Sequence, residues 1–227
     1  MTTSPLVVCK NIHKSYGQGA NRFEVLKGIN LSIDKGELRF LMGPSGSGKT
    51  TLISIIAAIL TPDQGECFIE NVNLLKLPDD QRTHYRGQHI GFVFQIFHLV
   101  PMLTTEENIA IPLLIQKVSR KKALEKACEL LTELNMQSKI GAYPKDLSGG
   151  EQQRIAIARA LVHNPKFIVC DEPTSFLDQT TGSIVMELLQ KLVKQKNVSC
   201  VVVTHDARIE SFADKIDRIN DGQIING

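Results

Sequence analysis

The chain has 227 residues, 42% of them hydrophobic and 22% charged, with a formal net charge of +2 at neutral pH. That balance is ordinary for a globular protein able to bury a real core. It is too weak to argue for nucleic acid or an anionic membrane surface as a partner. The five cysteines (Cys9, Cys67, Cys128, Cys170 and Cys200) are scattered without a C-x-x-C pair. They read as small buried hydrophobes in a reducing compartment, not as metal ligands or redox centres.

Met1-Thr-Thr-Ser-Pro5 lacks a basic start followed by an apolar run, so no secretory leader is expected. No uninterrupted apolar stretch approaches the ~18–20 residues that span a bilayer. Runs near residues 6–12 and 23–33 suggest antiparallel strands. Leu38–Met42 is predicted as a strand feeding a glycine-rich loop, and residues 49–60 as the helix that follows. Residues 90–94, 167–170 and 199–203 are rich in Ile, Val and Phe and read as buried strands. From about residue 95 to 142 the texture changes to helices without strands. There Leu124, Ala127, Cys128, Leu131 and Leu134 fall on one face, with Ser119 as N-cap. Residues 216–225 read as a hairpin turning at Asp221-Gly222. Short apolar runs alternating with amphipathic helices indicate an α/β fold with a parallel sheet covered by helices. No internal repeat or linker is visible, so one unit rather than two in tandem is expected.

Gly43-Pro-Ser-Gly-Ser-Gly-Lys-Thr50 has the G-x-x-x-x-G-K-[ST] spacing of a phosphate loop. Polyphosphate needs many donors and no bulky wall. Gly43, Gly46 and Gly48 let the backbone curl around it, with Pro44, Ser45 and Ser47 between them, and the following helix adds its positive N-terminal end. Lys49 is placed to reach the β/γ oxygens and Thr50 to offer its hydroxyl to Mg²⁺, with Thr51 completing the candidate site. Asp171 and Glu172 end a buried strand, where the open edge of an α/β sheet meets its ligand. Adjacent strand residues point to opposite faces, so the two carboxylates are expected to do different jobs. His205 likewise follows an apolar run, Val201-Val-Val-Thr204. Ser148-Gly-Gly150 opens an amphipathic helix through Arg154, Ile155, Ala158 and Leu161, which gives the chain a second small-residue helix N-terminus.

The phosphate loop, Leu147-Ser-Gly-Gly-Glu-Gln-Gln-Arg154, Asp171-Glu172 and Thr204-His205, in that order, resemble the nucleotide-binding subunit of an ATP-binding cassette (ABC) transporter. The resemblance covers roughly residues 6–225. It implies a P-loop ATPase fold in one domain over residues 1–227, with an antiparallel β subdomain and a helical subdomain at about 95–160. It also implies ATP and Mg²⁺ as cofactors. On this resemblance Glu172 is the general base for the attacking water and Asp171 holds Mg²⁺ through water. His205 senses the γ-phosphate and orients water, and Gln95 touches Mg²⁺ or that water. Tyr16, in Lys14-Ser-Tyr-Gly17, corresponds to the aromatic that stacks on adenine; a core tyrosine is the alternative. In the family, Ser148, Gly149, Gly150 and Glu151 of one subunit cover the γ-phosphate held by another. Asp178, in Ser175-Phe-Leu-Asp178, lies in the loop that crosses between subunits. A head-to-tail homodimer on ATP is therefore expected.

Two positions depart from the family pattern. Phe176 stands where a small residue, usually alanine, is typical, and Glu70-Asn71 occupies a turn that usually carries glycine. Within the family, the stretches 90–104 and 107–112 and Thr204-His-Asp-Ala-Arg208 resemble the macrolide-efflux and lipoprotein-release branch. That branch implies export or extraction of lipid, lipoprotein or drug-like substrates through a permease with an extracytoplasmic domain. The chain is then peripheral, at the cytoplasmic face of the inner membrane, with residues 95–103 forming part of a groove for a cytoplasmic helix of the permease. A regulatory cell-division-type ATPase that does not transport is the alternative. Soluble ABC ATPases acting on ribosomes or DNA and importer ATPases are further classes. No nucleic acid partner is expected.

Overall fold

Val7–Tyr16 (β1) and Phe23–Ile33 (β2) pair antiparallel and set Tyr16 opposite Phe23. Leu38–Met42 (β3) leaves for a second sheet, and Lys49–Ile56 (α1) follows it. Gln64–Ile69 (β4) and Val72–Asn73 (β5) extend the first sheet in the order β2-β1-β4-β5. These positions belong to a computed structural model that describes residues 4–225. Residues 1–3, part of the segment read for a leader, lie outside them.

The second sheet is mostly parallel. It is completed by Ile90–Val93 (β6), Phe167–Asp171 (β7), Ser199–Thr204 (β8), Lys215–Asn220 (β9) and Gln223–Ile225 (β10), in the order β10-β9-β3-β8-β7-β6. Only β10 runs antiparallel, in the expected hairpin with β9. The pleat explains why β3, β7 and β8 are nearly continuously apolar, with Arg39 and the strand-end Asp171, Ser199 and Thr204 as the exceptions. Leu38, Phe40, Ile168, Cys170, Cys200 and Val202 enter one core, while Leu41, Phe167, Val169, Val201 and Val203 enter the other. α1 and the antiparallel sheet fill the second core, and the helices that follow β6 and β7 in the chain fill the first.

Asp79–His89 (α2) has no buried residue and leads into β6. Thr105–Ile115 (α3), Arg120–Glu133 (α4) and Gly149–Leu161 (α5) follow without an intervening strand, and Gln179–Lys196 (α6) lies between β7 and β8. Among the described residues no helix is long and apolar enough to cross a membrane.

Three local expectations are corrected. The helix expected over 49–60 stops at Ile56, because Ala58 turns left-handed at φ +56°. The buried face of α4 is Ala123, Ala127, Leu130 and Leu131, with Leu124 and Cys128 only partly covered. Ser119 occupies the N-cap position of α4 but its hydroxyl caps nothing.

β6 approaches α5 at Gly91, where an added Cβ would stand 2.2 Å from the Ala160 carbonyl oxygen. Gly91→Ala is therefore expected to lower stability by about 1–3 kcal/mol, as overpacking typically does. Urea unfolding followed by circular dichroism measures this. An unchanged midpoint would mean that α5 lifts off β6 without cost.

Candidate nucleotide site

β3 delivers the chain into the glycine loop against its neighbour β9. A Cβ on Gly43 would lie 2.0 Å from the Ile219 carbonyl oxygen, so this glycine is required by close packing. Gly46 and Gly48 take left-handed φ values of +78° and +100°, which a side chain disfavours. No side chain caps α1 at Gly48, so its first N–H groups keep no side-chain acceptor and form an anion site. The Lys49 ammonium donates to the Gly43 and Pro44 carbonyls, both at 2.8 Å. Burial lowers its pKa, and the nearby Glu172 and Asp171 carboxylates oppose that shift.

Ser45, Gly46, Gly48, Lys49, Thr50 and Thr51 line a cavity of about 320 Å³ together with Tyr16, Phe23, Val25 and Glu172. Gly43, Pro44 and Ser47 instead support the loop from behind. The Ser47 N–H donates to the Pro44 carbonyl, and its own carbonyl accepts from Gly222 in the β9–β10 turn. Tyr16 is 39% exposed at the cavity, which disposes of the core-tyrosine alternative. Its ring centroid lies 6.3 Å from that of Phe23. Phe23 and Val25 were missed from sequence; the signal that exposes Phe23 is its cross-strand register with Tyr16.

Asp171 is the last residue of β7, and its Oδ1 accepts from the Thr50 hydroxyl at 3.3 Å. Burial raises its pKa, with the Thr50 hydrogen bond opposing. Glu172 does not continue the strand as expected. It turns left-handed at φ +45° while its N–H donates to the Val203 carbonyl. A backbone turn, rather than pleat alternation, therefore separates the two carboxylates.

That turn aims Glu172 at donors from three other places in the chain. Its Oε1 meets His205 Nδ1 at 2.9 Å. Its Oε2 accepts from Gln95 Nε2 at 3.2 Å and from the Ser175 hydroxyl at 2.6 Å. Burial pushes the Glu172 carboxyl up, but the hydrogen bonds from Ser175 and His205 and the Lys49 charge outweigh it. The net result lies below the usual carboxylate range. Ser175 was missed from sequence; it reaches Glu172 because the turn closes with Ser175 N–H donating to the Glu172 carbonyl. The Thr50 hydroxyl, Asp171 carboxylate and Gln95 amide are hard oxygen donors of the kind Mg²⁺ takes.

The remaining candidates lie elsewhere in the protomer. Ser148 caps α5 in a capping box with Glu151, whose carboxylate also meets Lys139 at 2.9 Å. Gly150 packs where α6 begins, since a Cβ there would stand 2.3 Å from Thr181 Cγ2. Asp178 caps α6, accepting from the Thr181 N–H and hydroxyl. None of Ser148, Gly149, Gly150, Glu151 and Asp178 lines the phosphate cavity of its own chain.

The family model described as "ABC transporter" matches residues 26–175. The lipoprotein-releasing system ATP-binding protein LolD of Legionella pneumophila (strain Paris) is 41% identical, over 96% of this chain and 96% of its own. The bacitracin export ATP-binding protein BceA of Halalkalibacterium halodurans (strain ATCC BAA-125 / DSM 18197 / FERM 7344 / JCM 9153 / C-125) is 42% identical, over 94% of this chain and 85% of its own. A solved dimeric post-hydrolysis state of the ATP-binding cassette MJ0796, from Methanocaldococcus jannaschii and bound to ADP and Pi, matches with a TM-score of 0.88. It is 41% identical and covers 97% of both chains. With the family model matched over residues 26–175 and relatives about 40% identical over nearly the whole chain, the chain belongs to the ABC transporter family, as an ATP-hydrolysing nucleotide-binding subunit.

Proposed function

We propose that this subunit dimerises head to tail on ATP and drives a membrane permease in export or extraction of lipid, lipoprotein or drug-like substrates. The observation that carries the reading is the split site. The phosphate cavity holds Lys49, Thr50 and Glu172, while the Ser148–Gly150 helix start lies away from it. A second copy supplies that helix start, and the dimeric MJ0796 structures support this arrangement. One ABC domain spans residues 1–227, with a helical subdomain at about 95–160.

ATP sits with its adenine against Tyr16 and its phosphates on the loop from Gly43 to Thr51. Thr50, Asp171 and Gln95 would hold Mg²⁺, which would supply charge neutralisation at the phosphates. Glu172 takes the proton of the attacking water, and Gln95 and His205 fix where that water stands. The carboxylate is already oriented by its donors, which supports its role as the base.

Phe176 is 61% exposed in the loop between β7 and α6. In the head-to-tail dimer that side chain is covered by the second copy. Burying a phenylalanine is worth about 1.5–3 kcal/mol, and twofold symmetry counts it twice. Phe176→Ala is expected to weaken the ATP-dependent dimer by at least about tenfold, measured by analytical ultracentrifugation. A tighter dimer would mean that Phe176 obstructs the contact.

The permease, bearing an extracytoplasmic domain, docks from the membrane at the cytoplasmic face. An apolar cavity of about 240 Å³ between β6, α3 and α5, lined by Phe92, Phe94 and Ile115, supports a docking point there. Exposed Ile96 and Met102 continue the surface along residues 95–103. Relatives named for lipoprotein release and bacitracin export favour transport over a cell-division-type regulator. The test is a detergent pull-down of Glu172→Gln with ATP and Mg²⁺, identifying co-purifying proteins by mass spectrometry. A membrane protein with few spans and a large external domain supports the reading. Recovery of ribosomal or DNA-bound partners alone refutes the transporter role and leaves the ATPase chemistry standing.

A further inference from the structure

Arg159 lies in the last turns of α5, yet its guanidinium is spent on a loop more than sixty residues away in sequence. Nη1 donates to the His98 carbonyl at 2.6 Å and Nη2 to the Phe97 carbonyl at 2.7 Å. Among the described residues no carboxylate forms an ion pair with it, and burial lowers its pKa. A mostly buried cation without a counter-ion is costly. What this one gains is a planar fork matched to two successive carbonyls, which a lysine cannot reproduce.

The loop it grips joins β6 to α3. His98 takes a left-handed φ of +48° with its ring stacked 4.9 Å from that of Phe94. The far end is held by Asn108, fully buried in α3. It accepts from the Val100 N–H and donates to the Val100, Leu103 and Thr104 carbonyls. Gln95, two residues before the first gripped carbonyl, is the side chain of this loop that reaches Glu172.

We propose that Arg159 is a positioning residue for ATP hydrolysis. Its fork fixes the loop that presents Gln95 to the Glu172 carboxylate. It thereby ties α5, whose first turn is the Ser148–Gly150 element, to the group that activates water. The inference rests on the roles given above to Gln95 and Glu172.

The test is a double-mutant cycle on steady-state ATPase activity, comparing Arg159→Lys, Gln95→Ala and the double variant across ATP and Mg²⁺ concentrations. Arg159→Lys keeps the charge and loses the fork. It is expected to lower kcat about tenfold while KM for ATP stays within about twofold, the split expected when an interaction made only in the transition state is lost. Gln95→Ala is expected to lower kcat by at least as much. The double variant should stay within about twofold of Gln95→Ala, because the two residues act as one unit. Nucleotide affinity and melting temperature of Arg159→Lys, measured alongside, separate misfolding from mispositioning. Normal turnover by Gln95→Ala would remove the Gln95 role, and the proposal with it. A Gln95→Ala defect beside normal turnover in Arg159→Lys, or losses that multiply in the double variant, would overturn the proposal alone.

Discussion

Glu172→Gln is expected to lower ATP turnover by about 10²–10⁴-fold, the range that positioned general-base catalysis supplies. The substitution keeps the shape of the side chain and removes its capacity to take a proton. Gln95, Ser175 and His205 all converge on this carboxylate, so one atom change disturbs several partners at once. ATP binding is expected to survive, because Lys49 and the glycine loop are untouched. The variant should therefore collect as an ATP-bound dimer, visible by light scattering, while the wild type without nucleotide stays monomeric. Retention of normal hydrolysis would remove Glu172 as the base. Tight dimerisation of the wild type without ATP would count against a dimer cycle governed by nucleotide.

Lys49→Ala is expected to act one step earlier, on binding. Lys49 as a residue is 5% exposed, and the partners of its ammonium are two loop carbonyls. Those bonds hold it at the mouth of the helix until an anion arrives. A hydrogen bond to a charged group is worth about 1.5–3 kcal/mol, which corresponds to a roughly 10- to 150-fold loss of ATP affinity. The loss is compounded because Asp171 and Glu172 then face the incoming phosphates without the Lys49 charge between them. Isothermal titration calorimetry with ATP and Mg²⁺ measures it. An unchanged dissociation constant would mean that the backbone donors alone hold the phosphates. Turnover falls as well, but the expected signature is in affinity, which separates this variant from Glu172→Gln.

The features legible in sequence are those written locally. β3 and the glycine loop could be read because an apolar run, a spacing of glycines and a lysine all lie within thirteen residues, 38–50. The parallel core could be read because strands buried on both faces have nearly continuous apolar sequence. What escaped was set by pairing across the chain or by single backbone dihedrals. Phe23 reaches the phosphate-loop cavity through its register with Tyr16. Ser175 reaches Glu172 only because the chain reverses after β7. The end of α1 is decided by the left-handed Ala58, a residue whose propensity favours continuing the helix. On α4 the expected face of Leu124, Ala127, Cys128, Leu131 and Leu134 is buried at Ala127, Leu131 and Leu134, while packing takes Ala123 and Leu130 in place of the partly covered Leu124 and Cys128.

The left-handed turn at Glu172 sets stability against activity at one position. An ordinary L-residue held there costs roughly 1–2 kcal/mol. Glycine relaxes that backbone, and asparagine suits it better than glutamate does. Neither side chain carries a carboxylate across to Gln95, Ser175 and His205. With Glu172 as the proposed base, selection for heat resistance alone would thus drift toward an inert cassette at this site, and only selection for work done would keep the glutamate in place.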